Sequence, residues 1–334
     1  MTTKRYLIIA PAWVGDMIMA QTLFITLKQR DPDCVIDVVA PKSTAALLNF
    51  MPQINEVINL SLGHGQFEFK ARRQMGLSLR DKGYTQAIVM TNSWKSALIP
   101  WFANVPKRTG WRGEFRYYLL NDVRLLDKSK YPLMIEQFIA LAYSPKIMLP
   151  QPLPKPSLSV STEAKLRVMS QFQLDIEKPI LALCPGAEYG PAKQWPAQYY
   201  AEVAKAKHAE GWQVWIFGSP KDKAVAEDIQ HLSGNICVNL AGQTNLAEAV
   251  DLIACADTVV TNDSGLMHVA SALDKNVIAI YGSSSPKFTP PLSHHAKILS
   301  LNLSCSPCFK RECPLGHLNC LKQLTPDRVL KEFN

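Results

Sequence analysis

The sequence predicts an α/β protein built from two Rossmann-like, doubly wound domains, each a parallel sheet with helices on both faces. Three observations carry this. Short runs rich in Val and Ile alternate with amphipathic helical stretches along the chain. At 334 residues the chain is too long for one ordinary core and suits two domains. Between Leu149 and Pro156 the alternation breaks at L-P-Q-P-L-P-K-P, whose four prolines continue neither a helix nor a central strand. The boundary is placed there, giving domains 1–150 and 151–334.

In the first half, Tyr6–Ala10 reads as a strand ending in the loop Pro11–Asp16. A helix from about Met17 to Arg30 follows, with Met17, Ala20, Leu23, Phe24 and Leu27 on one apolar stripe. Strand Val35–Val39, a short helix Thr44–Phe50 and strand Val57–Leu60 come next. Gly63-His64-Gly65 reads as a flexible loop before a basic helix, Phe69–Lys82. Strand Ala87–Met90, a helix Trp94–Phe102 capped by Thr91-Asn92-Ser93, and strand Lys107–Gly110 complete this half.

The second half repeats the alternation without a fixed-period repeat. Helices are expected at Ser161–Phe172, Pro196–Glu210, Asp222–Leu232, Leu246–Cys255 and Asp327–Phe333. Strands are expected at Ile180–Leu183, Gln213–Phe217, Val238–Ala241, Thr258–Thr261, Val277–Tyr281 and Ala296–Leu299. Two such domains imply a cleft bordered by strand carboxyl ends, where ligands of this fold class bind.

Composition narrows the function. The chain is 47% hydrophobic and 19% charged, as expected of a globular protein, and holds no apolar run long enough to span a bilayer. Its N-terminus leads straight into a strand, with no cleavage site of a signal peptide, so a cytoplasmic protein is expected. The net charge of +8 suits an acidic partner: an anionic membrane surface or a phosphorylated substrate. The charges are dispersed and no nucleic-acid-binding motif accompanies them, which disfavours nucleic acid.

The most informative stretch is T-V-V-T-N-D-S-G-L-M-H-V-A-S-A-L, Thr258 to Leu273. A strand, a turn at Asn262, Asp263, Ser264 and Gly265, and a helix opening at Leu266 would aim free backbone N–H groups at an anion. The same pattern also describes an ordinary capped turn. Three further loops converge at strand ends: Cys184–Lys193, Gly218–Asp222 and Leu240–Thr244. Gly186 opens a Gly-rich run ending in Lys193, which either neutralises a phosphate or sits solvated on the surface. Asp222, after Gly218 and Ser219, either accepts hydrogen bonds from a ribose diol or caps the next helix. His268 is either a ligand contact or a packed core histidine. In the first half, Asp16 after Trp13 and Gly15 is a candidate general base or a helix N-cap. Lys95, Arg112 and Arg116, with Trp13, suit a sugar or phosphate-bearing acceptor, or a solvated loop.

Cys34, Cys184, Cys237 and Cys255 stand singly in apolar surroundings and read as buried reduced thiols. Cys305, Cys308, Cys313 and Cys320 cluster, with His317 nearby, and could hold a structural zinc, although the second pair departs from the usual spacing.

Long phrases then give the chain a family resemblance. P-A-W-V-G-D-M, C-P-G-A-E-Y-G-P-A-K-Q-W-P, F-G-S-P-K-D, N-L-A-G and T-N-D-S-G-L-M-H-V-A-S-A-L resemble the bacterial lipopolysaccharide heptosyltransferases, the family 9 glycosyltransferases. The likeness covers nearly the whole length. It implies a GT-B fold and an inverting transfer of L-glycero-D-manno-heptose from ADP-heptose without a catalytic metal. The phrases G-H-G, K-S-A-L, R-T-G-W-R-G-E-F-R-Y and N-D-V-R resemble one group within that family, and this likeness implies an acceptor already bearing its first heptose, heptosyl-Kdo-lipid A, at the cytoplasmic face of the inner membrane. Transfer directly to Kdo-lipid A, or a sugar-nucleotide epimerase on the same fold, are the alternatives. On that template Asp16 deprotonates the acceptor, Lys193 meets the diphosphate and Asp222 the ribose. Asp263, Ser264, Gly265 and His268 belong to the donor signature. The four-cysteine segment belongs to only some relatives and gains no role from the likeness.

Overall fold

The computed structural model describes residues 3–61 and 67–333; the loop expected at Gly63-His64-Gly65 lies outside them. The chain separates between Pro156 and Ser157, at the far end of the proline-rich stretch. Leu158 explains the later boundary: it is the first apolar residue past the prolines to bury, and its N–H donates to Ala272 O at 2.9 Å.

Unit 1 runs β1 (Arg5–Ile9), α1 (Val14–Arg30), β2 (Val35–Pro41), α2 (Lys42–Ala45), β3 (Glu56–Leu60), α3 (Phe69–Ser78), β4 (Gln86–Val89), α4 (Leu98–Phe102), β5 (Lys107–Trp111), β6 (Asp122–Arg124) and α5 (Met134–Ala140). Its six strands are all parallel, in the order β3-β2-β1-β4-β5-β6. β1 sits centrally, and Leu7, Ile8 and Ile9 are buried between the helical layers. The α1 stripe packs as its spacing predicts: Met17, Ala20, Leu23, Phe24 and Leu27 are all buried. α1 begins at Val14, however, three residues before the expected start.

Two other elements differ from expectation for local reasons. The helix expected over 69–82 is two pieces, because Gly83 closes a 3₁₀ turn at Arg80–Lys82 in the left-handed region, with φ 66°. The helix expected over 94–102 opens as a 3₁₀ turn at Trp94–Ala97, and Pro100 denies α4 one rung of its ladder. β6 was not anticipated: three residues, two of them charged, carry no strand signal. It is held by tertiary bonds, with Thr109 Oγ1 donating to Asp122 and the Arg124 guanidinium pairing with Asp122 at 2.8 Å.

Unit 2 runs α6 (Thr162–Gln171), β7 (Ile180–Cys184), α7 (Ala197–Ala209), β8 (Gln213–Ile216), α8 (Lys223–Leu232), β9 (Val238–Asn239), α9 (Leu246–Ile253), β10 (Thr258–Asn262), α10 (Gly265–Ala272), β11 (Asn276–Ile280), β12 (Ala296–Leu299), α11 (Asn319–Lys322) and α12 (Pro326–Leu330). Its six parallel strands lie in the order β12-β11-β10-β7-β8-β9. Read from the other edge, this repeats the topology of unit 1. In each unit the strand order reverses beside the first strand, between β1 and β4 and between β7 and β10. Such switch points open crevices at strand carboxyl ends. Leu181, Leu183, Val260, Ile278 and Ile280 build the core beneath, with Trp195 and Tyr200 against them.

Close helix packing in unit 1 depends on Gly76, where a Cβ would lie 2.4 Å from Phe102 Cβ and 2.7 Å from Ile99 O. Backbone cannot yield cheaply there, so Gly76→Ala should lower stability by about 1–3 kcal/mol. A fall in the urea unfolding midpoint checks this; an unchanged midpoint would refute the tight α3–α4 seat.

Candidate functional site

The crevice-forming loops of unit 2 meet around one side chain. Asn262, the last residue of β10, is fully buried. Its Oδ1 accepts from Trp195 N–H at 3.1 Å and from the Tyr200 hydroxyl at 3.0 Å. Its Nδ2 donates to Pro185 O at 2.6 Å and to Gly186 O at 3.5 Å. The amide therefore straps both ends of the loop carrying Lys193 to the end of β10. Asn262 was expected to touch a ligand; its polar atoms are instead spent on the protein, so it positions the site from behind.

In front of it lies a compact set of charges. Lys193 Nζ pairs with Asp263 Oδ2 at 2.5 Å, and its ammonium stands 5.1 Å from the Tyr189 ring centroid. The Lys193 side chain is 17% exposed and that of Asp263 is 5% exposed, so the lysine is far from a solvated surface residue. His268, one turn into α10, is buried; burial pushes its imidazole down to about 4, Asp263 raising it and Lys193 lowering it. It is neutral at physiological pH. Ser264 sits at the N-cap of α10, and no side chain caps the helix. Main-chain N–H groups at Gly265 and after are thus aimed out of the helix start, beside an ammonium group, which is an anion seat.

Asp222 completes the rim from the end of β8. It occupies the N-cap position of α8 without a cap bond; its Oδ2 instead accepts from Ser219 N–H at 2.8 Å and Ser219 Oγ at 2.7 Å. Its Oδ1 has no hydrogen-bond partner among the described residues and stays available. Gly186 and Gly218 make the seat: a Cβ on Gly186 would meet the Asp222 carboxylate at 2.7 Å, and one on Gly218 the Asp222 Cβ at 2.8 Å. These two glycines act through Asp222.

Ser283 and Ser284, just past β11, were not singled out as site residues. Their hydroxyls are buried and unpartnered among the described residues, beside the end of β10. Serines in a loop give no sequence signal for that.

The four-cysteine segment packs against the loop that carries Lys193. The charges of Cys305, Cys313 and Cys308, after burial, push the Cys320 thiol up, so the sulfurs sense one another. Yet among the described residues no three His, Cys, Asp or Glu side chains are gathered to hold a metal ion. Cys313 is occupied by backbone N–H groups, Leu318 foremost, which hold its thiol down. Cys320 packs against the unit 2 core. The segment braces the site: Tyr189 donates to Phe309 O at 2.8 Å, Ala192 N–H to Arg311 O at 3.0 Å, and Phe309 N–H to Ser283 O at 2.7 Å. Of the single cysteines, Cys34, Cys184 and Cys237 are buried and Cys255 is half-buried.

In unit 1, Asp16 lies in the first turn of α1, half-buried at the carboxyl end of β1. Trp13, not Asp16, is the N-cap residue, so the capping alternative does not hold. Trp13 and Arg112 are exposed and Lys95 half-buried, at the carboxyl ends of β1, β5 and β4 respectively. Arg116 departs from its expected role. It is 2% exposed, and its guanidinium donates to Thr91 O, Ser93 O, Asn92 Oδ1 and Trp111 O. Saturating those acceptors pins the loop after β4 to the end of β5, and burial pushes the group down to about 10. Arg116 is a strut, not an acceptor contact.

The family described as glycosyltransferase family 9 (heptosyltransferase) matches residues 72–319. The chain is 51% identical to lipopolysaccharide heptosyltransferase 2 of Salmonella typhimurium, covering 99% of this chain and 97% of that protein. Its namesake in Escherichia coli K12 matches equally, at 51% identity with 99% and 97% covered. The structure of E. coli ADP-heptose lipopolysaccharide heptosyltransferase II superposes with a TM-score of 0.88 at 49% identity, covering 99% of this chain and 97% of that one. The E. coli heptosyltransferase WaaC, solved with ADP, shares the fold at 20% identity and a TM-score of 0.74, with 98% of each chain covered. The epimerase alternative is not favoured by these matches.

The His268 shift fixes a pH dependence. The unfolded chain takes up the proton near 6.5 and the folded chain only near 4. Between those values the unfolded state binds more protons, so stability falls as pH drops from about 6.5 to about 4. His268→Gln should flatten that part of a urea-midpoint series; an unaltered slope would refute it.

Proposed function

Since the chain belongs to glycosyltransferase family 9, the heptosyltransferases, we propose that it moves L-glycero-D-manno-heptose from ADP-heptose to the first heptose of the lipopolysaccharide inner core. The observation that carries this reading is the 51% identity, over nearly the full length, to proteins named lipopolysaccharide heptosyltransferase 2. The two doubly wound units are the GT-B architecture of the family.

The donor groups belong to unit 2. ADP gains charge as the glycosidic bond breaks. Lys193 and the N–H groups at the start of α10 are the groups that would stabilise it, on backbone that the Asn262 strap already holds. Diphosphate binding would draw the Lys193 ammonium away from Asp263, leaving that carboxylate beside neutral His268. The spare Oδ1 of Asp222 fits a hydroxyl of the adenosine ribose.

The acceptor groups belong to unit 1. Asp16 takes the proton from the attacking hydroxyl, which then displaces ADP from the opposite face and inverts the anomeric centre. Trp13, Lys95 and Arg112 contact the acceptor sugar and its anionic groups. No helix among the described residues is long and apolar enough to cross a membrane. A lipid-linked acceptor therefore calls for peripheral contact with the inner membrane, to which the net charge of +8 is suited.

Product analysis with heptosyl-Kdo-lipid A and with Kdo-lipid A as acceptors tests the reading. Transfer confined to the first supports it; transfer confined to the second overturns it. Asp16→Asn should reduce kcat by about 10²–10⁴-fold with donor affinity retained; turnover at the unaltered rate would remove Asp16 from the mechanism. Lys193→Ala should weaken ADP binding by about ten- to a hundredfold, and calorimetry showing unchanged ADP affinity would count against the diphosphate contact.

A further inference from the structure

Unit 1 holds a second cationic site at the edge away from Asp16. A cavity of about 410 Å³ is lined by Arg73 of α3, Arg80 of the following 3₁₀ turn and Arg108 of β5, with Trp101 and Phe102 of α4; none of its lining residues is acidic. Arg108 is the second residue of β5, so the cavity opens at the amino-terminal edge of the sheet. Asp16 follows the carboxyl end of β1, at the other edge.

The three guanidinium groups have donors to spare. Arg80 uses Nε on Phe102 O at 2.9 Å, and Arg108 uses Nε on Leu119 O and Nη1 on Val105 O, both at 2.7 Å. Arg80 Nη1 and Nη2, and Arg108 Nη2, have no partner among the described residues. Arg73 makes no hydrogen bond or ion pair among them. Three like charges around one hollow repel one another, and an anion presented there would relieve the repulsion and fill the forks.

An aromatic ridge leads from this cavity. Trp101 and Phe102 are 4.8 Å apart by ring centroids, Phe102 and Phe69 5.6 Å, Phe69 and Phe67 5.9 Å, and Phe67 and Trp94 4.9 Å. Phe67, Phe69, Trp94 and Trp101 are each 39–44% exposed. Aromatic rings left half in water beside spare arginines are the composition of a surface that rests at the headgroup level of a bilayer. A soluble phosphate would need the arginines but not the ridge.

We infer that the Arg73–Arg80–Arg108 cavity binds the phosphate of an anionic phospholipid headgroup, with Trp101 and Phe69 entering the interface beside it. This deepens the membrane contact proposed above and rests on that reading, but not on heptose transfer, since vesicle binding is measured without turnover.

The test is flotation of the full chain with vesicles of phosphatidylcholine alone and of phosphatidylcholine mixed with phosphatidylglycerol. The mixed vesicles should bind the chain and the neutral ones should not. Arg73→Ala should cut binding to mixed vesicles by about fivefold, and Arg73→Glu by more. Arg73 makes no hydrogen bond or ion pair among the described residues, so both variants should keep the parent circular dichroism. Brominated phosphatidylglycerol should quench tryptophan fluorescence, less so in Trp101→Phe. Mixed-vesicle binding unchanged by Arg73→Glu, or quenching unchanged by Trp101→Phe, would overturn the proposal. So would inorganic phosphate binding through Arg73 with no vesicle binding, which would mark a soluble-anion site. Heptose transfer to a deacylated, water-soluble acceptor tests the enzymatic reading separately.

Discussion

The Asn262 carboxamide is the constraint on which the candidate donor site depends. It is buried, it ends β10, and it reaches both sides of the loop that carries Lys193. The twelve residues between β7 and α7 would otherwise sample many conformations. With one amide gripping Pro185 and Gly186 at its start and Trp195 at its end, the loop cannot drift from α10. Burying such an amide is tolerable only because its donors and acceptor are all used. The cysteine-bearing segment adds a second brace from outside, through Phe309 and Arg311.

What the strap holds in place is an electrostatic arrangement near neutrality. One ammonium, one carboxylate and one uncharged imidazole share a poorly solvated corner at the start of α10. The pair is sustained by proximity, since either charge alone would bear a large desolvation cost. The diphosphate of the proposed donor would alter that balance in its own favour. It would offer the ammonium more negative charge than Asp263 does, and it would meet N–H groups that no side chain caps.

Unit 1 uses the same strand order for a different purpose. Its switch point carries the candidate acid–base group Asp16, and loops fixed by an arginine whose N–H groups serve carbonyls and one amide oxygen. Two sets of its cations stand at opposite edges of the sheet. Arg112 and Lys95 stand by the carboxyl ends; Arg73, Arg80 and Arg108 stand by the amino ends. Like architecture thus leaves room for unlike ligands, because loops and edges, not strands, present the chemistry.

By itself the sequence determined the α/β class, the central strands, the α1 stripe and the signature from Thr258 to Leu273, because period and turn chemistry are local properties. It also marked Lys193, Asp222, Asp263 and His268. It could not tell a role from a position. Arg116 and Asn262 look like ligand contacts in a linear string, and only folding shows their polar atoms turned inward onto backbone groups far along the chain. Four cysteines in a string do not show that their segment braces the Lys193 loop through Phe309 and Arg311. β6 and the three-arginine cavity were illegible for the same reason: each is made by residues distant in sequence, and no local pattern records which of them will meet.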